Sequence, residues 1–435
     1  MSSSTNTQRR RFLAGLAAGG AALALPGLRA ATPSRVVVLT AYPDETVSRF
    51  ERAFEQAYPQ YRLQIVWRMP HDALPYLQQP GQSGVDVYWS ASPRTFAALA
   101  DAGAWRRLKV NRDGLPDHIG RAALADPEGR YLATEMAGFG FAVNDAALER
   151  RNLQRPADWP DLTDARYAGL VALPVPARVG FAPPMVEIVL QSQGWDAGWA
   201  LWSEIAGNAA MVDRGSTFVT DEVADGRLPI GLSIDFFVAS AIANGAPLGF
   251  VYPRHGGINP AHVAVTAGAP NPEGALAFAG FVLSEAGQRL LTHPDIRKLP
   301  VRPSVYDGLP PDYYNPFAAA ARGAFDYDSE AARPRLGLSA ALFQQMLVEN
   351  HAQVVDLWRR IHAAETAGRN VAEARAILGR PVLSEAEAAD PELRRLFHRR
   401  VEGDDSAVTS REAQWRRRAG ANLAAARRLL DNAGV

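Results

Sequence analysis

The chain has 435 residues, 47% of them hydrophobic, and equal numbers of basic and acidic side chains, 46 of each. That length exceeds one small core and fits two lobes or more, and the even charge balance offers nothing general to nucleic acid, so no nucleic-acid partner is expected. The absence of cysteine excludes disulfides, thiolate metal sites, a cysteine nucleophile and a lipidated N-terminal cysteine.

The first segment, "QRRRFLAGLAAGGAALALPGLRAATP", sets Arg9 to Arg11 before an apolar run from Phe12 to Leu25, with Ala30 and Ala31 following. This is the three-part plan of an export signal, read here as residues 1–31. Arg9-Arg10-x-Phe12-Leu13 also resembles the twin-arginine signal. A membrane anchor is the alternative, but the run falls short of the roughly 20 apolar residues of a span. Cleavage near Ala30 or Ala31 and a soluble periplasmic protein are expected.

"RVVVLTAY" is a continuous β-branched run, the pattern of a strand buried on both faces. A helix follows in "PDETVSRFERAFEQAYP", with Val47, Phe50 and Phe54 on one face and Pro59 as its stop. "YRLQIVWRM" returns as a strand, and "GVDVYWSASPRTFAALADAGAW" reads as strand, turn and helix, with Ser92 as N-cap and Pro93 as first helical residue. A second series starts near Gly138 with strands in "GFGFAVN" and "GLVALPVP", a helix in "PPMVEIVLQSQ", and strands in "LPIGLSI" and "LGFVYP". "HVAVTAGAPNPEGALAFAGFVLSEAGQRLL" then gives a strand, a turn capped by Asn271-Pro272, and a helix returning to the first lobe. Alternating strands and helices imply α/β lobes with mostly parallel sheets.

From Ala331 to Val435 the pattern becomes helical. Phe343, Met346, Leu347, Val354, Trp358 and Ile361 share a face, and Thr409-x-x-Glu412 has the form of a capping box. This stretch carries 17 Arg, no Lys and 13 acidic residues, a net charge of +4, against −8 for the body from Ala31 to Glu330. The expected arrangement is a helical appendage packed on the body with solvated Arg outside; a partner-binding device is the alternative.

The order of elements resembles the periplasmic solute-binding proteins of ABC transporters, in the group that includes ferric-ion binders and phosphoglycerate and sugar-phosphate binders. The resemblance rests on "VVLTAYPDETVSRFERAFEQAYP", "VDVYWSASPRTFAALADAGAW", "VADGRLPIGLSIDFF" and "GFVYPRHGGINPAHVAVTAGAPNPEGALAFAGFVLSEAGQRLL", and covers about Arg35 to Val305. It implies an α/β, two-lobed periplasmic-binding-protein fold, with an all-α C-terminal extension added here. Lobe one is expected over 32–136 plus 262–330 and lobe two over 137–261. The resemblance also implies a monomer that closes on a solute and delivers it to an ABC permease in the inner membrane, with no chemistry done and no cofactor.

In the ferric binders of this group a Tyr-Tyr pair follows the "IGL" strand. Phe236-Phe237 stand there in this chain. A phenyl ring offers iron no donor, so a small-molecule anion, phosphorylated or carboxylated, is the expected solute and no metal site is expected. Tyr313-Tyr314 in "DYYNPF" read as an ordinary aromatic pair in a Pro-rich loop. Strand ends that open helices should face the cleft and offer backbone N–H groups, hydroxyls and cations to an anion. The ligand-binding candidates are Tyr42, Trp89, Ser90, Arg178, Ser216, Thr217, Asp235, Phe236, Arg254 and His255. Asp235 is a carboxylate in the otherwise apolar run "LPIGLSIDFFVASAI" and needs a partner. It would accept hydrogen bonds from ligand hydroxyls or an amine while Phe236 stacks on the ligand; a salt bridge to Arg254 or another basic group, closing the lobes without ligand, is the alternative.

"PRHGGINP" approaches the Arg-His-Gly-x-Arg-x-Pro signature of histidine phosphatases through His255, but Ile258 replaces the second Arg and the motif lies past mid-chain. The chain has no G-x-S-x-G, H-E-x-x-H or Walker motif, and no enzyme is expected. A second binding-protein reading remains, in which the loaded lobes dock on a membrane sensor through the helical tail.

Overall fold

The computed structural model describes residues 32–215, 217–311, 313–401 and 409–435. The expected export signal lies outside them. Ten strands make one continuous sheet. They are β1 Ser34–Thr40, β2 Tyr61–Trp67, β3 Val87–Ser90, β4 Tyr131–Val143, β5 Val171–Pro174, β6 Ala209–Val212, β7 Ile230–Ile234, β8 Gly249–Val251, β9 Ile258–Val265 and β10 Leu299–Pro300. The path runs β2-β1-β3-β9-β4-β7-β5-β6, and β8 and β10 also pair with β4.

The fold is the two-lobed α/β binding architecture, and β4 joins the lobes. Its 13 residues pair with β9 through Tyr131–Gly138 and with β7 through Phe139–Val143. The sequence reading started a new strand near Gly138. The strand continues instead, because only its partners change there. β1, β2 and β3 are mutually parallel, as are β7, β5 and β6. The two sets run in opposite senses along β4, so their carboxyl ends turn toward each other. That is where sheets of this kind hold ligands.

Each lobe shows why its strands read as apolar runs. In β1, Val36 and Val38 pack with Phe50 and Phe54 of helix α1 (Asp44–Ala57). Val37 and Leu39 face the other way, onto Phe96 and Leu99 of helix α2 (Pro93–Asp101). Ser92 and Pro93 occupy the expected N-cap and first-turn positions, but the Ser92 hydroxyl meets Thr95 Oγ1 at 2.8 Å instead of a backbone N–H.

Among the described residues after 331 there is no strand. Helices α8 Leu336–Phe343, α9 His351–Thr366 and α10 Ala372–Leu378 pack against lobe two, on α3 Ala182–Gln193 and α4 Trp195–Gly207, while α11 Pro391–Val401 packs on α8 and α12 Thr409–Asn432 on α9 and α10; the lobes also carry helices α5 Phe218–Ala224, α6 Asp235–Ala243 and α7 Pro272–Leu283. A π-helical turn at Gln344–Val348 separates α8 from α9, so the expected apolar face is carried by two helices. Phe343, Leu347, Trp358, Trp415 and Leu423 lie in one hydrophobic core with Trp199, Trp202 and Ile205 of lobe two. No helix of the described residues is long and apolar enough to cross a membrane.

Candidate functional site

The carboxyl ends of β1, β3 and β7 meet the middle of β4, and the most unusual polar chemistry of the described residues gathers there. Glu135 lies within β4 and is 2% exposed. Its Oε1 accepts from Lys298 Nζ at 2.8 Å, and its Oε2 accepts from the Thr134 hydroxyl. Thr134 Oγ1 in turn accepts from Trp89 Nε1 at 3.0 Å. Burial alone would raise the Glu135 carboxyl, but the Lys298 ammonium and these hydrogen bonds outweigh it and hold it below the usual range.

The Lys298 ammonium lies between rings of both lobes. It is 3.6 Å from the centre of the Tyr42 ring and 5.6 Å from that of Phe236. Tyr42 follows β1 and packs edge-on to Trp89 at 4.6 Å. The Tyr42 hydroxyl is buried and makes no well-formed hydrogen bond, although Glu135 and Thr134 lie near enough to act on its ionisation. Burial first, then the Glu135 charge, push that phenol well above its usual range.

Asp235 opens α6, directly after β7, and is 6% exposed. Its Oδ2 accepts from Gly138 N at 2.8 Å and from the Tyr252 hydroxyl at 2.9 Å. The carboxylate is therefore held by the crossing strand and a phenol, not by Arg254. Gly138 permits this approach, since a Cβ there would stand 2.6 Å from the Tyr252 ring. Burial pushes the Asp235 carboxyl up to about 7, against the two hydrogen bonds and the Lys298 charge.

Tyr313 and Tyr314 belong to this environment, which the sequence reading did not anticipate. Tyr314 stacks on Tyr252 with centroids 3.5 Å apart. Tyr313 donates to the Lys298 carbonyl at 2.7 Å and Tyr306 to the Pro300 carbonyl at 2.9 Å. Three of these four phenols thus donate to protein acceptors, and burial raises all four above the usual phenol range. Among the described residues no three His, Asp or Glu side chains gather to hold a metal.

The ten candidates therefore separate. Tyr42 and Phe236 flank Lys298, Trp89 packs on Tyr42, and Asp235 lies within reach of the Lys298 charge. Ser90 is buried at the end of β3, beside Trp89. Arg178 and Thr217 are exposed on the loops after β5 and β6, and Thr217 makes no side-chain cap for α5. Ser216 lies outside the described residues. Arg254 is exposed, while His255 Nδ1 is 2.6 Å from Asp326 Oδ2 and its carbonyl accepts from Trp159 Nε1. His255 is thus built into the β8–β9 connection and does not join the group around Lys298.

Glu135 and Lys298 were missed by sequence reasoning, yet both left signals. Glu135 is the one charge in the 13-residue strand "YLATEMAGFGFAV", the same anomaly that singled out Asp235. Lys298 is one of only two lysines among 46 basic residues. A chain that uses arginine almost everywhere else places a compact ammonium here.

Two lobes crossed by β4, with buried polar groups where their strand ends meet, define a binding protein. The chain belongs to the bacterial extracellular solute-binding proteins, whose family model matches residues 85–318. The phosphoglycerate transport regulatory protein PgtC of Salmonella typhimurium is 33% identical over 269 residues, which are 60% of this chain and 64% of that relative. The match thus spans less than two thirds of the relative's length. Among solved structures, periplasmic binding protein AfuA of Actinobacillus pleuropneumoniae, with fructose-6-phosphate bound, superposes with a TM-score of 0.57 at 20% identity, over 70% of this chain and 96% of AfuA. Iron-bound HitA of Pseudomonas aeruginosa gives 0.56 at 16% identity, over 71% and 99%. At those identities the likeness is one of fold. The family and these neighbours bind solutes and are not enzymes.

Proposed function

We propose that the protein captures a small organic anion, phosphorylated or carboxylated, between its lobes in the periplasm and, as a monomer, delivers it to an ABC permease. The observation that carries this reading is one buried cation, paired with the crossing strand and flanked by Tyr42 and Phe236 from strand ends of both lobes, with Trp89 against Tyr42 and Asp235 within reach of its charge. Lobe one is taken as 32–136 plus 262–330 and lobe two as 137–261, so the division falls inside β4. The PgtC relative and the sugar-phosphate-bound AfuA support a phosphorylated solute. Asp235 would accept from its hydroxyls, Phe236 would cover its apolar face, and Ser90, Arg178, Ser216 and Thr217 would close on its anionic end. Arg254 and His255 would lie at the margin.

The test is calorimetric titration of protein that has been unfolded and refolded to strip carried-over ligand. The panel is 3-phosphoglycerate, fructose 6-phosphate, a phosphonate, a dicarboxylate and ferric citrate. Binding of one anion class is expected, and Asp235→Ala should weaken it while the far-ultraviolet spectrum stays unchanged. Binding of ferric citrate alone would overturn the reading.

The regulatory description of PgtC favours a second reading, in which the loaded lobes signal to a membrane sensor instead of feeding a permease. The Arg-rich extension would then supply the docking surface. Transport of the solute in cells carrying or lacking the gene separates the two.

A further inference from the structure

A buried lysine usually has every N–H placed. An ammonium carries three donors. Lys298 is 8% exposed, gives one N–H to Glu135 and rests 3.6 Å from the centre of the Tyr42 ring; among the described residues no oxygen or nitrogen acceptor takes either of the other N–H groups. The Tyr42 hydroxyl beside it is buried and also unpaired in geometric terms. Two neighbouring groups able to donate, both more than nine-tenths buried, are thus under-used at the place where the lobes meet. Buried polar groups in folded proteins are normally satisfied, and exceptions call for a reason.

We propose that Lys298 is the counter-charge of the binding cleft: its ammonium and the Tyr42 hydroxyl receive the anionic group of the solute, and Glu135 is the positioning residue that holds the ammonium in place. The inference rests on the anion reading above and assigns that reading's central contact. The rings of Tyr42 and Phe236 flank the ammonium from the two lobes, so an anion seated on Lys298 contacts both lobes at once. Glu135 cannot be the whole partner of this lysine. It draws on one of three N–H groups and is itself already shared with Thr134. The floor therefore presents two directed donors, one of them charged, which favours an oxyanion able to accept from both at once over a spherical halide.

The composition makes the test direct. Lys109, the other lysine, is exposed, so protein labelled with 13C at lysine Cε shows two lysine signals, one of them an internal control. Calorimetry first identifies which of 3-phosphoglycerate, fructose 6-phosphate or inorganic phosphate binds. On titration with that anion the Lys298 signal is expected to move with the calorimetric Kd while Lys109 stays still. Lys298→Met destabilises by leaving Glu135 unpaired, so the informative variant is Glu135→Gln with Lys298→Met, which removes both charges. It is expected to regain most of the lost melting temperature but to bind at least about tenfold more weakly, the loss of one charge-assisted hydrogen bond. If the wild type binds, the Lys298 signal does not move and the double variant binds as well as the wild type, Lys298 is a structural strap and the inference fails. A wild type that binds no anion fails earlier, at the anion reading itself.

Discussion

Two buried carboxylates, Glu187 and Glu135, separate what holds this molecule together from what it works with. Glu187 lies on α3 under the helical extension and is fully buried. Its Oε2 accepts from Arg335, at 3.1 Å from Nε with a second contact from the same guanidinium, and its Oε1 accepts from the Ser339 hydroxyl. Around it lies apolar packing, such as Trp202 against Phe343 at 5.6 Å. Glu135 has the same ingredients, a cation and a hydroxyl. Its cation, however, is a lysine with N–H groups to spare, beside an unpaired phenol and the carboxylate of Asp235. A satisfied network contributes stability and rigidity. An under-satisfied one costs stability and is kept where something else completes it.

The sharpest way to break this contrast is to remove residues 331–435. The extension shares one core with lobe two and ties into it through Trp195 Nε1 on the Leu383 carbonyl at 2.8 Å and Ser203 Oγ on the Leu378 carbonyl at 3.0 Å. The truncated chain would expose Trp199 and Trp202, and the loss is expected to exceed the roughly 5–15 kcal/mol that holds a typical domain folded. Circular dichroism and gel filtration should show an unfolded or aggregated lobe two. A monomeric truncation with a cooperative melt would make the extension a detachable accessory.

The charge pairs come next in size. Arg335→Met and Lys298→Met each strand a buried carboxylate and should cost about 3–5 kcal/mol in denaturant unfolding. The comparison is sharpened by binding. Arg335→Met, measured where it is still folded, should leave ligand affinity unchanged, whereas Lys298→Met should lower it about tenfold or more. Equal affinities for the two variants would erase the distinction drawn between the regions. Tyr42→Phe should be milder: near-neutral for stability, because its hydroxyl has no good partner in the unliganded protein, and about tenfold weaker in binding.

Much of this contrast was legible in the sequence, and the illegible part has a physical cause. Asp235 stands out as one charge within an apolar run, a local signal that survives without a structure; Glu135 carries the same signal and was missed. Tyr42 and Trp89 followed from strand-end logic. Lys298 did not, because "HPDIRKLPVRP" reads as a loop with a solvated lysine, and its partner lies 163 residues away. Periodicity reports which face of an element is buried, but not which distant element covers it. For the same reason the tail read as an appendage: its apolar face was visible, while the matching tryptophans belonged to lobe two. Tyr314 read as a loop aromatic because its stack on Tyr252 is tertiary as well.

The smallest effect is also the most specific to the cleft. Folding raises the Asp235 carboxyl from an ordinary 3.8 to about 7. The native state then holds a proton that the unfolded chain releases, so this group's contribution is fully present below about pH 4. It declines as pH rises and is lost by the time pH passes about 7. Asp235→Asn keeps an oxygen for the Gly138 N–H and the Tyr252 hydroxyl but has no proton to lose. The stability of the variant relative to the wild type should therefore rise between about pH 4 and pH 7 and stay constant above. After allowance for relaxation around the buried acid the rise should be on the order of 1–2 kcal/mol. Melting curves of both proteins across that range test it, and a difference independent of pH would show that Asp235 is ionised throughout. No such slope is expected from Glu135 in the same window, because Lys298 holds that carboxyl below its usual range. At neutral pH and above, the asparagine variant should thus be the more stable protein and the weaker binder, because a carboxylate accepts from a ligand hydroxyl more strongly than an amide does.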